Sequence, residues 1–209
     1  MGLRKTHTGP EALREVVDRE YPRTRDGLIA QLREGDVEQR RWAARDLAQY
    51  PDAIASLGER LLQEPVANVR EAIFTTLKSL ASDAAVAVLM PLLRSEDAML
   101  RNGAIEALAG MPSQVAPRVT ALLQDRDPDV RIFTVNLLGE LQHPKVPTWL
   151  IDVIDRDEQV NVVAAAIEVL AEVGSQGACE ALQQVKQRFA AEPFIAFAAD
   201  MATQRIEAP

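Results

Sequence analysis

Apolar residues recur along this chain at two nested periods. The short one is helical: Val69, Ile73, Leu77 and Leu80 fall three or four apart, as do Val88, Leu89, Leu92 and Leu93, the spacing that gathers side chains on one face of an α-helix. The long one is 30 to 32 residues. The stretch PDVRIFTVNLLGEL, in which Asp129-Val130-Arg131 leads to Leu138 and Leu141, is echoed by NVREAIFTTLKSL from Asn68, MLRNGAIEALAGM from Met99, NVVAAAIEVLAEVG from Asn161 and a weaker first copy, QRRWAARDLAQY, from Gln39. The position before the arginine falls at Gln39, Val69, Leu100, Val130 and Val162. The paired aliphatics that close each copy begin at Leu61, Leu92, Leu122, Val153 and Val185. Two combs moving in step imply two elements per repeat, and a fixed period of this length implies a stacked array.

Breakers separate the elements. Tyr50-Pro51-Asp52, Ser82-Asp83, Met111-Pro112-Ser113, His143-Pro144 and Gly174-Ser175 lie within repeats, and Asx-rich caps such as Asp127-Pro128-Asp129 lie between them. No strand pattern competes. The prediction is an all-α chain of helix pairs near 36–64, 65–95, 96–125, 126–156 and 157–190, with an N-terminal pair over 11–33 and a closing helix over 192–206. A single pair cannot cover its own apolar face, so the pairs must stack and bury a continuous core between two layers of helices.

These residues resemble the HEAT repeats, in the short form found in phycobilisome bilin-lyase subunits and many other bacterial proteins. The shared pattern is D-x-x-V-R-x-x-A-A-x-A-L-x-x-L-G, and it covers about residues 36–190. The resemblance implies a right-handed α-α superhelix, a HEAT-like solenoid of five to six helix pairs. It implies a single domain over 1–209: residues 1–10 expected to be flexible, 11–35 an N-terminal cap, 36–190 five repeats, and 191–209 a C-terminal cap helix. The first copy has Gln39-Arg40 for Val-Arg and the fifth has Val162-Val163, so the arginine is lost toward the C-terminal end. End repeats, which face water on one side, are where such departures are expected.

Composition narrows the class. Hydrophobic residues make up 47% of the 209 but aromatic ones only 4%, so the core must be built of Ala, Leu, Val and Ile, as close helix stacking requires. The one cysteine, Cys179, excludes an internal disulfide. With no secretory signal or spanning segment read from the sequence, the expected compartment is the cytoplasm. The longest apolar run, Ala84 to Leu93, contains Pro91 and falls far short of the ~20 residues of a membrane helix. The net charge of -8 is unevenly spread: residues 1–45 carry 10 Lys/Arg against 8 Asp/Glu, or +2, and residues 46–209 carry 13 against 23, or -10. An acidic body opposes nucleic-acid binding, which depends on neutralising phosphates. Arg40, Arg41 and Arg45 could form a local basic stripe, against the plainer reading of a solvated first helix.

The comb Arg40, Arg70, Arg101, Arg131 is the most regular polar feature. It admits a phosphate-site reading, but Asn68, Asp97, Asp127 and Asp129 lie close in sequence, and a ladder of charge-assisted hydrogen bonds ordering the inter-repeat turns is the expectation. Asp125, Asp127 and Asp129 resemble the opening of a calcium loop, yet Val130 stands where Gly is needed and Asn136 where Glu is needed. Neither His7 nor His143 has a partner at triad or metal spacing. Cys179 aligns with Ala55, Val86, Ala116 and Pro147, so a small, partly buried thiol is expected. Met1-Gly2 to Thr6 fits a loose myristoylation pattern that is short enough to arise by chance. No catalytic residue, cofactor or metal is assigned.

The second helices line the concave surface in solenoids of this type, where partners usually bind. One row there reads Leu57, Val88, Arg118, Trp149 and Ala181, so Arg118 and Trp149 break an apolar series. Together with Met90, Pro91, Pro117 and Ile151 they form the candidate protein-binding face, with the Arg118 guanidinium expected near the Trp149 indole. Ordinary packing at the edge of a wide core is the competing reading. Pro91, Pro117 and Pro147 in successive second helices are expected to bend them and free carbonyls. Three function classes follow: a non-catalytic protein-interaction scaffold, which is preferred, with another protein as partner and neither nucleic acid nor membrane; a chromophore-handling subunit of bilin-lyase type, on the resemblance alone; and a DNA-repair solenoid like the HEAT-like alkylpurine glycosylases, which the charge disfavours.

Overall fold

The structure, a computed structural model, describes residues 21–174 and 176–208. Among these, α1 (Arg25–Glu34) is followed by pairs α2 (Val37–Asp46) and α3 (Ile54–Gln63), α4 (Ala67–Leu80) and α5 (Asp83–Leu89), α6 (Ala98–Ala109) and α7 (Pro112–Leu123), α8 (Pro128–Glu140) and α9 (Val146–Arg156), and α10 (Val160–Val173) and α11 (Cys179–Arg188), with α12 (Pro193–Glu207) last. No strand occurs among the described residues. The part of the expected N-terminal pair over 11–20 lies outside them. The even-numbered helices α2 to α12 pack side by side in one layer. In the other, α1 meets α3, α3 meets α5, α5 meets α7 and α9 meets α11. The chain is an α-solenoid.

Helix starts are set by short polar side chains. Asp36 and Gln39 form a reciprocal capping box on α2, Ser82 accepts from the Ala85 N–H at α5, Asp97 from Met99 and Leu100 at α6, and Asp127 from Asp129 at α8. Asp97 and Asp127 therefore act as helix caps. The core is aliphatic: the predicted row Gly58, Leu89, Val119, Leu150, Leu182 is buried throughout, as are Leu108 and Leu138. Close approach demands small residues at particular points. A Cβ at Gly58 would sit 2.4 Å from Val88 Cγ1, and one at Gly103 would sit 2.3 Å from Phe74 Cε2, so these glycines admit neighbouring side chains rather than special backbone angles.

The arginine comb is structural. Arg40, Arg70, Arg101 and Arg131 each donate to a carbonyl in the turn opening their own repeat, at Gly35, Glu64, Ser95 and Asp125. Three also reach forward to an acid of the following turn: Arg40 to Glu64 (2.8 Å), Arg70 to Asp97 (2.8 Å) and Arg131 to Asp157 with two hydrogen bonds, 2.6 and 3.0 Å. The ladder differs from expectation at its third rung. Arg94 takes Asp125 and lies 3.8 Å from Asp127, leaving Arg101 without an acid; its guanidinium lies 4.4 Å over the Phe133 ring and its Nε is buried without a partner. In the fifth repeat, where valine replaces the arginine, Arg188 at the end of α11 donates to the equivalent carbonyl, Asp157.

Glu64 is the most constrained charge. Its side chain is fully buried, accepts from Arg40, Arg60 and the Val66 N–H, and its own carbonyl accepts from Arg70. Burial pushes the carboxyl up, but the hydrogen bonds from Arg40, Arg60 and Val66 outweigh it and hold the acid at about 2 against an ordinary 4.5. A carboxyl lowered on folding adds stability that is complete above its unfolded value and lost as protons are forced on. Chemical denaturation should show stability falling from pH about 4.5 toward 2, and Glu64→Gln should flatten that slope while costing about 3 kcal/mol at neutral pH, because it leaves two arginines without their anion. Leu108→Ala or Leu138→Ala should cost ~2 to 5 kcal/mol through lost burial and a residual cavity; near-zero effects in the same assay would contradict the observed packing.

Candidate functional site

Along the second layer, α7 packs on α5 and α9 packs on α11, but α7 and α9 meet only marginally. Between them lies a groove of about 450 Å³. Thr120 on α7, Gln124 just past its end, and Asp152 and Arg156 on α9 are exposed at its edges, while Trp149 and Val153 are buried within it. The Arg131–Asp157 ion pair also lines it, so the groove borders one rung of the arginine ladder.

Trp149 is 8% exposed. Its ring stacks on His143, with centroids 5.0 Å apart and planes 18° from parallel, and the His143 Nδ1 accepts from the Lys145 N–H. The turn before α9 thus fixes the imidazole, and the imidazole fixes the indole. Among the described residues the indole N–H has no hydrogen-bond acceptor, and it is not sealed from solvent. A donor that is open to solvent on an otherwise buried, oriented ring is suited to an acceptor from outside.

The six residues singled out from sequence separate. Arg118 does not lie on Trp149: it pairs with Asp83 at 2.9 Å and donates to the Gln114 carbonyl at 2.6 Å. The expected cation–π contact is replaced because Asp83 on α5 lies within reach of the guanidinium, while α7 and α9 make little contact. Met90 and Ile151 are half-buried against the core, while Pro91 and Pro117 are exposed. Of the six, only Trp149 lines the groove. The row containing Arg118 and Trp149 is a core edge, since Leu57, Trp149 and Ala181 are all buried.

The prolines differ in effect. Pro91 falls where α5 gives way to the 3₁₀ turn Met90–Arg94, Pro117 lies inside α7, and Pro147 sits in the first turn of α9, where it displaces no helical hydrogen bond. His143 holds the turn before α9, and Cys179, a half-buried thiol, opens α11.

Apart from Leu62 on α3, the large exposed apolar residues lie on the even-numbered layer, among them Trp42 on α2, Met99 on α6, and Phe194, Phe197 and Met201 on α12. Their signal was present in sequence, since α12 carries Ile195, Ala199 and Ala202 on one face and a second apolar series on another. A helix apolar on two faces has one more face than a terminal helix needs for packing inward.

The family model for HEAT repeats matches residues 11–110 and 115–190. A protein of Pseudanabaena tenuis described as an uncharacterized phycocyanin operon protein Z is 26% identical over 156 residues, which cover 70% of this chain and 77% of that one. Solved structures similar to the chain include the complex of CpcE and CpcF of phycocyanin lyase from Nostoc sp., at 21% identity over 87% of this chain and 82% of that one, with a TM-score of 0.39. A designed armadillo repeat protein is similar at 16% identity over 86% of this chain and 98% of that one, with a TM-score of 0.38. Likenesses this distant speak to neither partner nor activity.

Proposed function

The chain belongs to the HEAT-repeat family, and we propose that it is a non-catalytic scaffold that holds another protein against its second layer, centred on the groove between α7 and α9. The observation that carries this reading is Trp149: an oriented, nearly buried indole that lines an open groove. Interfaces concentrate their energy in such aromatic anchors. Pro91 and Pro117 on the adjoining helices, with half-buried Met90, Arg118 and Ile151, form the surrounding contact surface in this proposal. With Asp152 paired to Arg156 at 3.6 Å and Asp157 to Arg131, exposed Glu158 is the remaining acid at the groove and favours a basic group on the partner.

Truncation to alanine would not separate roles, since removing a packed indole costs ~3 to 5 kcal/mol of stability by itself. Trp149→Phe keeps an aromatic ring against His143 while deleting the N–H donor and trimming the ring system, a milder change than truncation. Thr120→Arg adds bulk at an exposed edge of the groove. Affinity capture followed by titration of the retained protein should show Trp149→Phe weakening binding by about tenfold and Thr120→Arg abolishing it, with helicity unchanged in both. Undiminished binding by both variants would overturn the groove as the site.

One observation favours a second reading, a chromophore-handling subunit: the relative from a phycocyanin operon spans most of both chains. In that case, adding a linear tetrapyrrole to the protein should shift its visible absorbance, and the shift should be lost in Thr120→Arg. An unchanged tetrapyrrole spectrum would remove this reading and leave the scaffold.

A further inference from the structure

Helices α10 and α12 lie side by side in the even-numbered layer and run in the same direction. Their C-terminal ends are adjacent: the Arg205 Nη1 is 3.6 Å from the Glu172 Oε1, and a Cβ at Gly174 would meet the Ile206 Cδ1 at 3.0 Å. Between them is an apolar groove of about 820 Å³. Its α12 wall is a ridge of Phe194, Phe197 and Met201, spaced three and four apart and 62%, 64% and 49% exposed. Its α10 wall is lined by the small side chains Ala164, Ala165 and Ala171. The face that a further second-layer helix would cover is not the apolar one. It carries Asp200, which is paired with Lys186 at 2.6 Å, and Thr203, whose hydroxyl donates to the Ala199 carbonyl. That face of α12 is polar and turned toward α11, and the Phe ridge lies on a different face, beside α10.

We propose that this face binds a second copy of the chain about a two-fold axis parallel to α10 and α12. The contact between Arg205 and Glu172 places residues 33 apart in sequence at the same height on the two helices. A rotation about an axis between them lays α12 of one copy over α10 of the other without changing that height. Phe197 then meets Ala164 and Ala165 of the second copy, a large side chain over two small ones. Arg205, 3.6 Å from Glu172 of its own chain, then also faces Glu172 of the second copy, so the two pairs form one alternating cluster of charges at the rim. The operation is its own inverse, so ridge enters trough and cation meets anion twice. Shape and charge thus select the same arrangement, and the α7–α9 groove, in the other layer, stays uncovered.

Sedimentation velocity on the full chain, from low to high micromolar concentration, should show a monomer–dimer equilibrium, since two helices per copy make a contact at the small end of specific interfaces. Phe197→Ser should weaken dimerisation by more than about tenfold, whereas Trp42→Ser, which removes a comparably exposed aromatic from the opposite end of the same layer, should leave it unchanged. Arg205→Glu should weaken it, and adding Glu172→Arg to that variant should restore it. Circular dichroism should give native helicity for every variant. A wild-type chain that stays monomeric throughout, a dimer indifferent to Phe197→Ser, or equal loss in Trp42→Ser would each overturn the proposal. Failure of the charge swap to rescue would overturn the two-fold geometry. None of these outcomes bears on partner binding at Trp149, so the two proposals stand or fall separately.

Discussion

A helix pair in this chain is apolar toward its own second helix and also toward the pair on either side. Ala43, Ile73, Ala104, Thr134 and Ala166 lie at one position in successive copies of the first helix and are all buried, so a pair taken alone would leave apolar surface uncovered. Stacking is the constraint on which everything else depends. It sets the small side chains at helix contacts, it forces Gly58 and Gly103 to make room for Val88 and Phe74, and it makes the inter-repeat turn the place where polar groups must be satisfied.

The turns solve that problem with one device used repeatedly. A buried carbonyl at the opening of each repeat needs a donor, and the acid beside the next turn needs a cation; an arginine one turn into the first helix supplies both. Where the local sequence changes, the same needs are met by other means. Arg94 takes the acid that Arg101 would have used, and Phe133 receives the displaced guanidinium on its face. Arg188 reaches back from α11 to the carbonyl that the fifth repeat's missing arginine leaves open. Glu64, bound by two arginines and a backbone N–H, ties the first complete pair to the second.

The two layers differ in what they offer. The second layer offers the opening between α7 and α9, where an oriented indole adjoins a charged rim. The first layer carries the exposed aromatic and methionine side chains, concentrated on α12. A scaffold with its partner groove on one layer and a self-association face on the other could present two grooves at once, and linked sites of that kind gain avidity without any new contact.

The helix pairs, the aliphatic core row and the structural role of the arginine comb could be read from the chain itself, because a repeated offset reports the same environment several times over and local chemistry decides each copy alike. The buried row of Gly58, Leu89, Val119, Leu150 and Leu182 followed from spacing alone. What tertiary structure decided were the points where one copy departs from the rest. Sequence alignment set Arg118 beside Trp149, but α7 and α9 make little contact, so the guanidinium went to Asp83 and the indole to His143. Which acid a given arginine reaches depended on Arg94 arriving first at Asp125. The exposure of Phe194, Phe197 and Met201 depended on how α12 packs on α10 and α11. Periodicity fixes which way side chains point around a helix, but the tilt between neighbouring helices, which fixes the distances across a groove, is a sum of many small packing differences that no single repeat contains.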